Sequence, residues 1–277
     1  ADYQEGEHYH RLPIPVDTRE PNAVEVVEVF SYGCIHCKTF QPSVDAWREN
    51  IPDHVDFYRM PATFNEAWEA LNQSKDKEAK ASLLNNRGYH YQNMGNIDMA
   101  LKEYIKSYKL RAEVGNKFGM AMSLNQIGWI YGYQNNQEKA VETFEEALQI
   151  MEELNNYYQQ GILLNNIGAA YDKLGKKDRA LDKLWKSLEI REKINDELGM
   201  SYSLNNIAVI YKDSGQIDTA IALFSRSLYL REKLNNSLGV VYSLINLAKA
   251  ALAQNKNPDA LAYLTRAKEI GEDKRYA

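Results

Sequence analysis

The chain has 277 residues, 44% of them hydrophobic, a net charge of −5 and a mean hydropathy of −0.55. That balance gives no general attraction for nucleic acid. No apolar run approaches the ~18 residues of a membrane span. The charge is unevenly spread: residues 1–72 hold 5 Lys+Arg against 13 Asp+Glu, and residues 73–277 hold 28 against 25. The same first stretch carries both cysteines, six of the seven prolines and four of the five histidines. Two compositions are joined in one chain. It begins at Ala1 without Met or a signal-peptide pattern, so a processed or trimmed N-terminus is expected.

Residues 1–18 are polar and turn-rich, with Pro13 and Pro15 favouring extended structure. Val24-Glu25-Val26-Val27-Glu28-Val29-Phe30 is β-branched and nearly continuous in apolar character, which predicts a buried parallel strand. Ser31-Tyr32-Gly33-Cys34-Ile35-His36-Cys37 follows, then a helical pattern through Phe40, Val44 and Trp47 that Pro52 ends. Val55–Met60 is the second strand. This is a βαβ unit with a dithiol at its strand-to-helix turn.

A thiol at a helix N-terminus faces unpaired amides and the positive end of the helix dipole, which stabilise a thiolate. Cys34 takes that place, His36 adds a donor or a positive charge, and Cys37 lies one turn on, where it can resolve a mixed disulfide. Half a zinc site and a plain structural disulfide are the alternatives. The first lacks a second CxxC or HxxxH, and the βαβ context favours a redox pair.

Residues Asp2 to Leu71 resemble the DsbA family of thioredoxin-like oxidoreductases, through Glu25–Phe30, the Cys-x-His-Cys core and Val55-Asp56-Phe57. The resemblance implies that Cys34 attacks and Cys37 resolves, with the redox-active Cys34–Cys37 disulfide in place of any separate cofactor. It implies that Glu28, six residues before Cys34, is the buried acid that relays protons, and that Pro42 kinks the active-site helix. It also implies thiol or disulfide protein substrates and a periplasmic or secreted location; without it a cytoplasmic one is expected. Ile35 stands where the family usually has Pro, and after Pro61 only Pro258 remains, so the family's cis-proline loop has no counterpart. The head is about half of that fold.

The rest of the chain repeats. Leu84-Asn85-Asn86, Leu124-Asn125-Gln126, Leu164-Asn165-Asn166 and Leu204-Asn205-Asn206 recur every 40 residues, with a weaker copy at Leu244-Ile245-Asn246. A fixed period of this length predicts stacked supersecondary units, none able to bury its apolar face alone. Each unit reads as two amphipathic helices. The first, as in 201–213, buries Leu204, Ile207, Ala208 and Tyr211; the second, as in 218–234, buries Ala220, Ile221, Phe224, Leu228 and Leu230. Gly95, Asn135, Gly175, Gly215 and Asn255 supply the turns between them, and Asn116, Asn156, Asp196 and Asn236 punctuate the links between units.

This pattern resembles the tetratricopeptide repeat, in the longer-helix variety of LGN-like and kinesin-light-chain-like scaffolds. The resemblance implies a right-handed superhelix whose first helices line a concave groove. The expected fold is therefore mainly α: a helical solenoid preceded by a partial thioredoxin-like βαβ unit. Its parts are residues 1–62 for the DsbA-like segment, 63–80 for a junction helix, and five repeats (81–120, 121–160, 161–200, 201–240, 241–270) before a tail at 271–277.

Asparagine is a mediocre helix residue, so nine amides at fixed phase need a reason: Asn85, Asn86, Asn125, Gln126, Asn165, Asn166, Asn205, Asn206 and Asn246. On successive parallel helices they form a ladder of donors and acceptors that matches the backbone of an extended peptide, with Tyr89, Trp129, Tyr202 and Tyr242 on neighbouring groove positions. The competing reading is that the amides bond one another between stacked helices, with one Asn per unit able to serve each purpose. Basic residues for a carboxylate clamp are mostly absent. Arg111, Arg191 and Arg231 recur at the ends of second helices and, with Glu192, Lys193, Glu232 and Lys233, read as a solvated face. The expected function is a protein-interaction scaffold that binds an extended peptide, carrying a dithiol segment; the alternative is a DsbA-like thiol:disulfide oxidoreductase whose repeats dock its substrates. No nucleotide loop, hydrolase triad or metal cluster is legible.

Overall fold

The computed structural model describes residues 76–272 in full and, before them, the backbone of two strands. Strands β1 (Val24–Phe30) and β2 (Val55–Pro61) pair in parallel, in a register that sets Val24 against Val55 and Glu28 against Arg59. Parallel pairing requires a crossover between the strands, as the βαβ reading expects. The expected turn at Cys34, His36 and Cys37, the expected helix through Phe40 and Trp47, the expected junction helix as far as Lys75 and the tail from 273 lie outside the described residues. The chain divides into two units, Ala1–Lys75 and Asp76–Ala277.

The second unit is ten helices: α1 (Lys77–Asn93), α2 (Ile97–Glu113), α3 (Lys117–Tyr133), α4 (Gln137–Glu153), α5 (Tyr157–Lys173), α6 (Lys177–Lys193), α7 (Glu197–Asp213), α8 (Ile217–Lys233), α9 (Ser237–Ala253) and α10 (Asn257–Glu272). The first nine have 17 residues each, and three-residue turns join all ten. The 40-residue period is thus two helix-and-turn halves of equal length.

One device makes every turn. After α1, Gly95 adopts φ +77°, its N–H bonds the Gln92 carbonyl at 3.0 Å, and the Asn96 N–H reaches back to Tyr91 at 2.8 Å. This is a Schellman ending, which satisfies carbonyls that the helix leaves unpaired. Asn96 then opens α2, its side chain accepting from the Met99 N–H. The links between units use the same geometry, with Gly115, Asn155, Asn195 and Asn235 at positive φ. The sequence reading located the residues after them, Asn116, Asn156, Asp196 and Asn236, which are the N-caps of α3, α5, α7 and α9. It placed the first helix of unit four at 201–213. The helix begins four residues earlier, because Asp196 caps the amide of Gly199 at 2.9 Å.

The core follows the expected phase. Leu204, Ile207, Ala208, Ala220 and Phe224 are fully buried, while Tyr211 and Ile221 pack partly buried against the cluster that holds Ala208, Ala220 and Phe224. Ala100, Ala140, Ala180 and Ala220 are wholly buried where helices approach closely. Glycine is needed at Gly168, where a Cβ would stand 2.6 Å from Leu184 Cγ and 3.1 Å from the Ala180 carbonyl oxygen. At the last unit the phase continues but its cover does not: Leu264, equivalent to the buried Phe144, Leu184 and Phe224, is 44% exposed.

Candidate functional site

Asparagines that follow the phase leucine hold consecutive first helices together. Asn166 Nδ2 donates to Asn125 Oδ1 at 2.9 Å, Asn206 Nδ2 to Asn165 Oδ1 at 3.1 Å, and Asn246 Nδ2 to Asn205 Oδ1 at 2.9 Å. The second amide of each unit therefore donates to the first amide of the unit before. Among the described residues, the Nδ2 of Asn125, Asn165 and Asn205, and the Oδ1 of Asn166, Asn206 and Asn246, have no further hydrogen-bond partner. Half of each amide holds the stack, and the other half is held in the orientation that bond sets; Asn166 is buried, and Asn125, Asn165, Asn205, Asn206 and Asn246 are half-buried.

One rung is broken. Gln126 replaces Asn in unit two, and Asn85 Oδ1 is buried with no hydrogen-bond partner. An orphaned buried acceptor is destabilising, and the longer glutamine places its amide wrongly for the bond that asparagine makes elsewhere. Gln126→Asn is expected to complete the ladder and raise stability by about 1 kcal/mol, read as a higher urea midpoint; an unchanged midpoint would mean Asn85 is already satisfied. At the other end Ile245 takes the acceptor position, so the ladder stops at unit five. Asn86 is exposed, at the end where no donor–acceptor rung precedes it.

The four aromatic positions divide. Trp129 is 52% exposed and Tyr242 62%, and Tyr89 is also open to solvent. Tyr202 is exposed on one face, while its ring lies 5.3 Å from the Arg231 guanidinium carbon and covers a cation. Trp129 and Asn166 meet in one pocket between units two and three.

The structure corrects the reading of the recurring arginines. Arg111, Arg191 and Arg231 are buried, each at a joint between units. Arg231 Nη1 donates to the Gly239 carbonyl and to Ser243 Oγ, both at 2.9 Å, and Nε donates to Ser201 Oγ at 3.2 Å. Arg111 makes the equivalent bonds to Gly119 and Ser123, with Glu78 on its Nε. Glycine makes room for the side chain: a Cβ on Gly239 would stand 2.8 Å from Arg231 Cδ. Arg191 is different, because its Nε and Nη1 are buried without a hydrogen bond and Asp196 Oδ2 is 3.9 Å away. Burial lowers the pKa of Arg191 and of Arg231 from the ordinary arginine value, and both remain charged.

A sequence signal for this joint exists. Ser107, Arg111, Gly119 and Ser123 recur 80 residues on as Ser187, Arg191, Gly199 and Ser203, and again as Ser227, Arg231, Gly239 and Ser243. The link between units two and three replaces all four together, with Ala147, Met151, Gln159 and Leu163. Four positions that change as a set belong to one site. The set is the polar joint, and its apolar version buries Ala147, Met151 and Leu163 almost completely.

Among the described residues no group of three His, Cys, Asp or Glu side chains is placed to hold a metal ion, and no helix is long and apolar enough to cross a membrane.

Tetratricopeptide-repeat family models match residues 80–153 and 199–273, and residues 163–197. The chain belongs to the tetratricopeptide-repeat family. Solved structures with the same fold include BtubC from P. vanneervenii, 21% identical, with a TM-score of 0.64 over 75% of this chain and 86% of that one. A putative kinesin light chain repeat protein from Podosopora anserina is 17% identical, with a TM-score of 0.59 over 74% of this chain and all of that one. The first ~70 residues of this tetratricopeptide-repeat protein have a different relative. They are similar to the thiol:disulfide interchange protein DsbA of Azotobacter vinelandii, 44% identical over 73 residues, which is 26% of this chain and 34% of that protein. The chain thus spans about a third of the length of the curated relative it matches, and the two likenesses together describe a composite.

Proposed function

We propose that the repeat array, a protein-interaction scaffold by its family, binds an extended peptide along the face built by its first helices. The observation that carries this reading is the half-used amide ladder. Each bonded asparagine pair offers one free Nδ2 and one free Oδ1 in a fixed orientation, matching the alternating C=O and N–H groups of an extended main chain. Because the inter-unit bonds already hold the amides, little side-chain entropy remains to be lost on binding. Exposed Trp129, Tyr89 and Tyr242 supply apolar contact beside the ladder.

The test is selection of linear peptides on the full-length protein, followed by titration against Trp129→Ala and against Trp185→Ala on a second helix. Loss of affinity with the first and retention with the second is expected. Equal effects of both, or no selected peptide at all, would defeat the reading.

A second reading rests on the DsbA-like segment. Here Cys34 is the attacking thiol and Cys37 the resolving one, with His36 and Glu28 tuning them, in an oxidising compartment such as the periplasm; protein thiols or disulfides are the substrates. Alkylation of Cys34 in the reduced protein, followed by intact mass across pH, is expected to persist well below the ~8.5 of a free thiol. A profile centred on the free-thiol value would remove the enzymatic reading and leave the scaffold intact.

A further inference from the structure

We infer that the pocket between units two and three takes one aromatic side chain of the bound peptide, and so sets the register of the peptide along the array. This rests on the peptide-binding reading and names what that site selects.

Gly132 points to it. It lies inside α3, where glycine costs roughly 1 kcal/mol relative to alanine. Nothing in the fold asks for that cost, since Gly132 does not adopt positive φ and a Cβ there would meet Gln137 Oε1 at 3.7 Å and Ala140 Cβ at 4.0 Å, both ordinary contacts. Gly128, one turn earlier, is unlike it, because a Cβ there would stand 2.6 Å from the Phe144 ring. In the other units the residue at the Gly132 phase is Gln92, Asp172, Lys212 or Leu252. Only in unit two is the side chain removed, and there a cavity of about 140 Å³ opens.

The second contribution comes from the next helix. Ala169 stands 40 residues after Trp129, so the wall opposite the indole is low. The cavity lies between Trp129 and Tyr133 on one side and Ala169 and Ala170 on the other. Gln137, 5% exposed, fixes the base by donating from Nε2 to the Gly132 carbonyl at 2.9 Å. The volume is well under the ~300 Å³ at which small-molecule pockets begin, and it suits a single side chain. Three aromatic side chains, Trp129, Tyr133 and the buried Phe144, favour a ring in offset or edge-on contact. Lys173 also lines the cavity and has no ion-pair partner among the described residues, so its ammonium is available to the face of a bound ring. An aliphatic side chain would fill the space without using either feature.

The experiment is a two-by-two cycle on the full-length protein. Peptides selected from a random linear library are synthesised with their aromatic residue intact or replaced by Ala, and each is titrated against wild type and Gly132→Leu. Leu at 132 suits the helix and fills the pocket, so an unchanged or raised melting temperature is expected. In wild type, replacing the aromatic is expected to weaken binding at least about tenfold. Gly132→Leu is expected to weaken the intact peptide similarly, and in that variant the replacement then costs little more. The inference is overturned if selected peptides bind without an aromatic requirement, or if the two losses multiply in full. In either case peptide binding itself stands. If no linear peptide is selected, the groove reading fails together with the pocket.

Discussion

Replacing Arg231 with Ala should destabilise the C-terminal units by about 3 kcal/mol, more than the loss of any exposed ion pair in the molecule. The guanidinium, 3% exposed, donates to three acceptors on two helices. Its removal leaves a cavity and strips Ser243 Oγ and the Gly239 carbonyl of a charged donor, and each of those losses is costly where water does not reach. Exposed pairs such as Lys77–Glu113 and Lys186–Asp182 are screened and contribute at most ~1 kcal/mol each.

The sharper test replaces three positions of the set and keeps Gly239. Ser227→Ala, Arg231→Met and Ser243→Leu together reproduce what the link between units two and three already has in Ala147, Met151 and Leu163. Ser201, which loses Arg231 as a donor, still donates its hydroxyl proton to the Leu198 carbonyl at 2.7 Å, Ser243 Oγ is itself removed, and the Ser201 and Gly239 carbonyls, which lose Ser227 and Arg231, keep the i+4 amides of their own helices. A buried polar cluster exchanged for packed apolar side chains is often neutral or better. The triple variant should therefore lie within ~1 kcal/mol of wild type while Arg231→Ala does not. Solenoids unfold by unit, so amide exchange across α8 and α9 is the right measurement. A triple variant as unstable as the single one would show that the arginine does more than join two units.

The second large effect separates interior from end. Phe224→Ala should cost ~3–5 kcal/mol, because its ring is fully buried between units four and five and the stacked helices cannot close over the void. Leu264→Ala, at the same phase one unit later, should cost under ~1 kcal/mol, since that side chain is 44% exposed. Both are read from urea unfolding with exchange by unit. Comparable losses at the two positions would mean that something covers the face of α10 in solution.

Most of the array was legible because its information is local and repeated. Periodic leucines, the alanines at close approach and the Gly or Asn of each turn each act within a few residues of themselves. Five copies in unbroken phase turn a weak signal into a secure one. The strand pair was legible for a related reason: a β-branched run (Val24–Phe30) and a short apolar and aromatic run (Val55–Met60) on either side of a helical pattern have few alternatives to parallel pairing, and β1 and β2 pair as expected. Helix starts were read four residues late in the first helices, because the capping residue belongs to the link and its bond forms only once the turn has closed.

The amide ladder and both of its uses were legible, but the choice between them was not. Spacing placed the asparagines on one face. Whether Asn166 turns to a ligand or to Asn125 depends on the distance between α3 and α5, which no single helix encodes. Arg111, Arg191 and Arg231 were misread for the same reason: at the end of an amphipathic helix a charged residue looks solvated until the next unit closes over it. The clue was the joint change of four positions at one link, a pattern visible only when units are compared column by column.

Repetition, helix length, turn chemistry and the apolar phase are settled within twenty residues of chain, so the amino-acid order alone fixes them. Which half of each amide remains free, which arginines lie inside the joints, and that Gly132 and Ala169 open one pocket are decided only when units stack. Each depends on atoms of different helices, 8 to 41 residues apart, coming within a few ångströms, and only the packing of whole helices determines that distance.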